Sequence, residues 1–289
     1  MTTWPAVEVP RERAPAADFL RRHPTVVAGL AILGTMTLLG VLAPWLGTVD
    51  PLSLDPVQRL KAPTEAHWFG TDSFGRDIYS RTVYGSRISL VVGISVAVLS
   101  TLFGLVIGLA AGYSRIVDAL VMRVMDGMMA VPSILLAIAL IALTKASVTN
   151  VILAITIPEV PRVVRLVRSV VLSIREQPYI EAAVAIGTSL PRIFWHHLLP
   201  NTLAPLIVQA TYIFASAVLI EAGLSFVGAG SPPEVPSWGN IMAEGRVYFL
   251  ISPYMILFPG LFLALTVLAV NLLGDGLRDL LDPRIARRM

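Results

Sequence analysis

Cysteine is absent, and lysine occurs only at Lys61 and Lys145. The first absence excludes disulfides, thiolate metal sites and a cysteine nucleophile, and is silent about compartment. The second bears on nucleotides. A phosphate loop of the form GxxxxGK[ST] needs lysine directly after glycine, whereas these two follow Leu60 and Thr144, so the chain cannot hold ATP in the Walker manner. HExxH is missing, and the GLSFV around Ser225 is not GxSxG, so metalloprotease and serine hydrolase readings lack their motifs. Charge is scarce as well: Asp, Glu, Lys and Arg make up 14% of the 289 residues, against about 25% in soluble domains.

What fills the chain is apolar. Residues of the AVILMFWYC set reach 55% and the mean hydropathy is +0.75, which points to an all-α integral membrane protein. Six stretches are apolar enough to serve as transmembrane helices: 25–46, 88–113, 116–143, 148–174, 201–227 and 252–273. The first is about 22 residues, or roughly 33 Å of helix, too long for a cleaved leader. Arg21 and Arg22 before it read as a positive-inside anchor, since the surrounding FLRRHP lacks the rest of a twin-arginine signal. The third and fourth stretches carry Arg123, Asp126, Glu159, Arg162, Arg165 and Arg168, so both helices are expected to extend past the cytoplasmic face.

With the N-terminus inside, fifteen basic residues fall on the inner face and seven on the outer, which fixes both termini in the cytoplasm by the positive-inside rule. The organisation is then a cytoplasmic tail (1–24), one membrane domain (25–276) with an outside loop over 47–87 and a cytoplasmic loop over 175–200, and a second tail (277–289). A further outside segment, 228–251, contains SPPEVPSWGN, whose Pro and Gly argue for ordered loops or short helices. Gly104, Gly108 and Gly112 lie four residues apart and share one helix face, where another backbone can approach closely.

The cytoplasmic loop is amphipathic where its surroundings are oily. Residues 176–186 are good helix formers, Gly187 offers a break, and Thr188 or Ser189 can cap a second helix with Pro191 in its first turn. That second helix is expected to stop at Pro200. A helix–break–helix of this kind needs a cover: lipid, the protein's own helices, or a partner with a groove. His196 and His197 face different ways on a helix and have no further ligand nearby, so they are not read as a metal pair.

The string Glu181-Ala182-Ala183, three residues, Gly187, nine residues, His197, one residue, Leu199-Pro200 resembles the EAA loop of permease subunits of binding-protein-dependent ABC importers; the family prefers isoleucine where His197 stands. The runs FGTDSFGRDIYSRTVYGSRISLVVG (69–93), LIEAGLSFVGAG followed by PSWGN, and DGLRDLLDPR (275–284) resemble the C-type subunits of dipeptide, oligopeptide and nickel permeases. The resemblance implies a type I ABC importer permease fold in a bacterial inner membrane. It further implies a heterodimer with a homologous B-type permease, two ATP-binding subunits that hold ATP and Mg²⁺ while this chain holds no cofactor, and an extracytoplasmic binding protein. The cargo it implies is a peptide, or nickel or another small solute. No nucleic acid is involved. Glu181, Ala182, Ala183, Gly187, His197, Leu199 and Pro200 would then form the coupling segment.

Four acidic residues lie near the membrane. Asp118 and Asp126 are expected to be neutralised by Arg115 and Arg123, while Glu159, Glu221 and Asp126 are candidates for the translocation path. Two other function classes compete. An ion-coupled secondary carrier would show inverted repeats and more intramembrane charge, and a membrane-embedded enzyme would need a base beside a nucleophile at depth; neither pattern is present.

Overall fold

The computed structural model describes residues 23–281. The two tails, with Arg11, Arg13, Arg21, Arg22, Arg284, Arg287 and Arg288, lie outside the described residues apart from their innermost positions. The described chain is helical, with a single isolated bridge between Thr71 and Asp77.

Helix α1 (Pro24–Val41) begins with proline in its first turn, where the missing N–H costs little. A long loop with two 3-10 turns leads to α2 (Ile78–Tyr113), which starts ten residues before its apolar run because Asp77 caps it, accepting the Ser80 N–H at 2.7 Å. Ser114 ends α2 and caps α3 (Arg115–Met129). Then come α4 (Ser133–Ala142), α5 (Val148–Arg175), α6 (Pro178–Ala185), α7 (Leu190–Phe226), α8 (Trp238–Gly245) and α9 (Tyr254–Leu281).

Four of these, α1, α2, α7 and α9, are each long and apolar enough to cross a membrane. The expected third span is not one helix. It divides at Ala130–Pro132 into α3 and α4, bent by 89°, because Pro132 supplies no N–H and disfavours helical backbone at Val131. The fourth expected span, α5, is about 42 Å long and carries Glu159, Arg162, Arg165 and Arg168 along its length. By length and composition, four helices and the bent pair are thus apolar enough to cross a membrane, and the six expected segments are reached only with the charged helix α5.

The core runs along α2, which packs against α5 on one side and α7 on the other, while α9 closes against α1 and α7. Val92, Val96, Val163, Val167, Ala217 and Val218 are buried there. The α2–α5 contact is set by matched steps. Gly104, Gly108 and Gly112 lie against Val163, Val167 and Val171, and a Cβ added at Gly108 or Gly112 would come within 2.7 Å of the facing valine Cβ. The four-residue register of both helices lets the backbones approach across a continuous seam.

Charge follows the same packing. Asp118 takes a two-point bond from Arg168 and Asp126 bonds Arg165 at 2.6 Å, so the expected neighbours Arg115 and Arg123 are not the partners. The reason is that α3 folds back along α5, which brings residues 50 positions apart face to face.

Candidate functional site

The elbow is built from α6 and the start of α7. Pro178 opens α6, and its Ile180 and Ala183 are buried. Gly187 closes it at φ +77°. The Thr188 N–H bonds the Ala183 carbonyl and the Gly187 N–H bonds the Val184 carbonyl, both at 3.0 Å. This is a complete Schellman ending, which demands a left-handed residue at position 187. Ser189 stands at the head of the next helix, but its side chain makes no capping bond.

The second helix does not stop at Pro200. It passes through a π turn at Phe194–Leu198, closed by the Leu199 N–H on the Phe194 carbonyl, and continues as the membrane helix to Phe226. The widened turn accommodates the proline ring, which in a regular helix would meet the carbonyl four residues back.

Glu181 and Ala182 are exposed while Ala183 is buried, so the two alanines serve different neighbours. The elbow exposes further apolar side chains: Tyr179, Val184, Ile186 (83% exposed), Leu190 and Trp195 (68%). His196 is exposed, His197 is half-buried with its ring 5.8 Å from that of Tyr179, and Pro200 is exposed. A cavity of about 380 Å³ opens beside this face, lined by Tyr113, Arg175, Ile180, Glu181, Val184, Ala185 and Ile193. Sequence reasoning missed the fastening of the elbow. Arg175 in the last turn of α5 donates to the carbonyls of Gly112 and Tyr113 and lies over the Tyr113 ring. The signal available was a basic residue in the last turn of a helix.

The path candidates stand apart, with no hydrogen bond or ion pair linking them. Glu159 is fully buried, bonded to Arg162 at 3.1 Å through one oxygen, the other having no partner among the described residues. Glu221 is fully buried near the opposite end of the bundle, where one oxygen accepts Ser225, Ser231 and Ser237 hydroxyls at 2.9–3.1 Å. Asp126 is exposed.

That opposite end also holds a charge network. Arg76 pairs with Asp72 and Glu244, and the fully buried Arg81 reaches Glu244 at 3.2 Å and Asp72 at 3.6 Å. Burial outweighs the attraction of Arg81 and Arg76 and holds the Glu244 carboxyl above its ordinary range. Trp238 is buried beside them, its indole N–H on the Thr82 carbonyl at 3.1 Å. Among the described residues, no group of three or more His, Cys, Asp or Glu is arranged to hold a metal ion.

Comparison with known proteins adds the following. Residues 82–287 match the model of the binding-protein-dependent transport system inner membrane component, and residues 16–63 match the N-terminal transmembrane domain of oligopeptide transport permease C. A probable peptide ABC transporter permease of Sinorhizobium fredii is 56% identical, covering 93% of this chain and 92% of its own. A dipeptide transport system permease of Alkalihalophilus pseudofirmus is 45% identical over 92% and 88%. Among solved structures, an inward-facing MetNI methionine ABC transporter aligns with TM-score 0.54 at 22% identity, over 70% of this chain and 96% of that one, which speaks to the fold alone.

Proposed function

Because the chain belongs to the binding-protein-dependent inner membrane components of ABC importers, as a C-type permease of the peptide group, we propose that it forms half of a pore whose movement is driven from outside the membrane. The cargo is a peptide, by analogy with the relatives' names. The other half is a homologous B-type permease, and a binding protein delivers solute to the end that carries α8. Two ATPase subunits, which bind ATP and Mg²⁺, grip the elbow. This chain contributes no catalytic group of its own. The termini and the elbow lie on the cytoplasmic side of a bacterial inner membrane in this reading, which the excess of basic residues on that face supports.

The observation that carries this reading is the elbow itself. A helix ended by an obligatory left-handed glycine carries exposed Tyr179, Glu181 and Val184, and Ile186 and Trp195, which follow it in the elbow, are exposed as well. Such a surface is suited to a groove in a partner. In the cycle, closure of the ATPases on nucleotide draws the two elbows together and opens the pore to the binding protein; hydrolysis and product release return it. Ala183 and Gly187 fix the shape of α6, Glu181 and Ala182 face the ATPase, and His197, Leu199 and Pro200 set how α7 leaves the elbow. Asp126 is assigned to joining α3 to α5 through Arg165, and Glu221 to joining α7 to the segment before α8 through Ser231 and Ser237, whereas Glu159 bonds only Arg162 of its own helix and is kept as the path candidate.

The test is the whole complex in liposomes. ATP hydrolysis is expected to rise with added binding protein, and a photocrosslinker at Tyr179 is expected to capture an ATPase subunit. Crosslinks to lipid alone would overturn the docking role, and solute uptake without any ATPase would favour a carrier.

A further inference from the structure

Four arginines punctuate the second half of α5. Arg162, Arg165 and Arg168 each take a carboxylate, whereas Arg175 pairs with none among the described residues and bonds backbone instead. Its Nη1 donates to the carbonyls of Gly112 at 2.9 Å and Tyr113 at 2.7 Å. Those carbonyls belong to the last turn of α2, where no further helical N–H follows and the helix dipole is negative, so a guanidinium there makes charge-assisted bonds. The guanidinium carbon also lies 5.1 Å from the centroid of the Tyr113 ring. That ring stands 5.4 Å from Phe194, which opens the π turn of α7. Three helices therefore meet at one cation.

Its position matters because of what is attached to it. Only Glu176 and Gln177 separate Arg175 from α6. A force on α6 reaches the end of α5 first, and helix ends fray readily. Held to α2, the end of α5 cannot unwind without giving up two bonds. Gly112, one of the two carbonyls held, is also the last of the glycines seated on the α5 valines, so the clamp continues a seam that already joins the two helices.

We propose that Arg175 is a positioning residue for coupling, which locks the end of α5 to the end of α2 so that displacement of α6 moves α2 and α5 as one body. This rests on the reading of the elbow as the element that the ATPases grip. Without the clamp, the same displacement is absorbed in the short link before α6, and hydrolysis proceeds with less transport. The cavity between the clamp and α6 leaves slack on that side, which Arg175 does not fill but borders.

The experiment uses the complete complex in liposomes, with ATP hydrolysis and solute uptake read from the same vesicles and the Tyr179 crosslink to the ATPase as a control for docking. Arg175→Met is expected to raise ATP hydrolysed per solute about tenfold, the worth of one charge-assisted bond, with crosslink yield kept. Arg175→Lys, which keeps the charge and loses the planar fork, is expected to bring that ratio back to within about threefold of the native protein. An unchanged ratio in Arg175→Met with crosslinks intact overturns the clamp and leaves the docking reading standing. No crosslink in the native complex overturns the docking reading instead. Should Arg175→Met fail to assemble, Tyr113→Leu carries the test: it keeps both backbone bonds, removes the ring between Arg175 and Phe194, and is expected to raise the ratio about threefold; no change in it refutes the proposal.

Discussion

The two ends of the bundle are finished differently. At the end that carries α8, polar groups are buried and paired within the chain: Arg81 with Glu244 and Asp72, one Glu221 oxygen with three serines, the Trp238 indole with a backbone carbonyl, while the Arg81 Nε and the second Glu221 oxygen make no hydrogen bond among the described residues. At the elbow, the apolar side chains of Ile186 and Trp195 stand in the open, and the Glu181 carboxylate is exposed too. One end buries its charges against residues of the same chain, while the other leaves large apolar side chains exposed. On the proposed reading of the elbow, stability rests on one end and coupling on the other, and substitutions should separate them.

The strongest way to break that comparison is Arg81→Met. Leaving Asp72 and Glu244 short of a buried cation is expected to cost about 3–5 kcal/mol, read as a large drop in the thermal unfolding temperature of the purified complex. Unfolding at the native temperature would show that the network is ornamental. Next, Gly108→Val drives a side chain into Val167 and the Val164 carbonyl. Such overpacking is expected to cost about 1–3 kcal/mol, with loss of folded protein from membranes; normal levels would mean that the seam opens easily. Third, Gly187→Val forces a β-branched residue into left-handed backbone at about 1–2 kcal/mol, a modest loss of stability. Uptake should fall by more than tenfold while ATP hydrolysis persists, and coupled uptake at native rates would contradict the elbow's role. The smallest effect on unfolding is expected from Trp195→Ser, within about 0.5 kcal/mol. Its readout is the yield of complex with the ATPases in pull-down, which should drop sharply, and an undiminished yield would move the contact elsewhere on the elbow.

What was legible in the sequence is what is local. Apolar runs gave the spans, and the spacing of Gly187 and Pro191 gave the break in the elbow, because a left-handed turn and a first-turn proline are decided by a few adjacent residues. Gly104, Gly108 and Gly112 announced a close contact for the same reason. The partner was not legible, since nothing local says that Val163, Val167 and Val171 repeat the same step in the facing helix. The bend at Pro132 is local too, yet the apolar run 116–143 continues across it and hides the break. The pairing of Asp118 with Arg168 depended on α3 turning back along α5 after the break at Ser114, a long-range placement. Pro200 misled in the opposite direction, because a π turn lets a helix run through a residue that normally ends one.

Helix α2 is about 54 Å long at 36 residues, far beyond the roughly 30 Å of a hydrocarbon core. Its first turns are gripped by the Asp72–Glu244 network and its last turn by Arg175. It is thus a connecting rod without a joint, anchored at both water-facing boundaries. An antibody fragment or small molecule that immobilises the Asp72 loop should for that reason slow events at the far boundary as well, with no pocket there being touched.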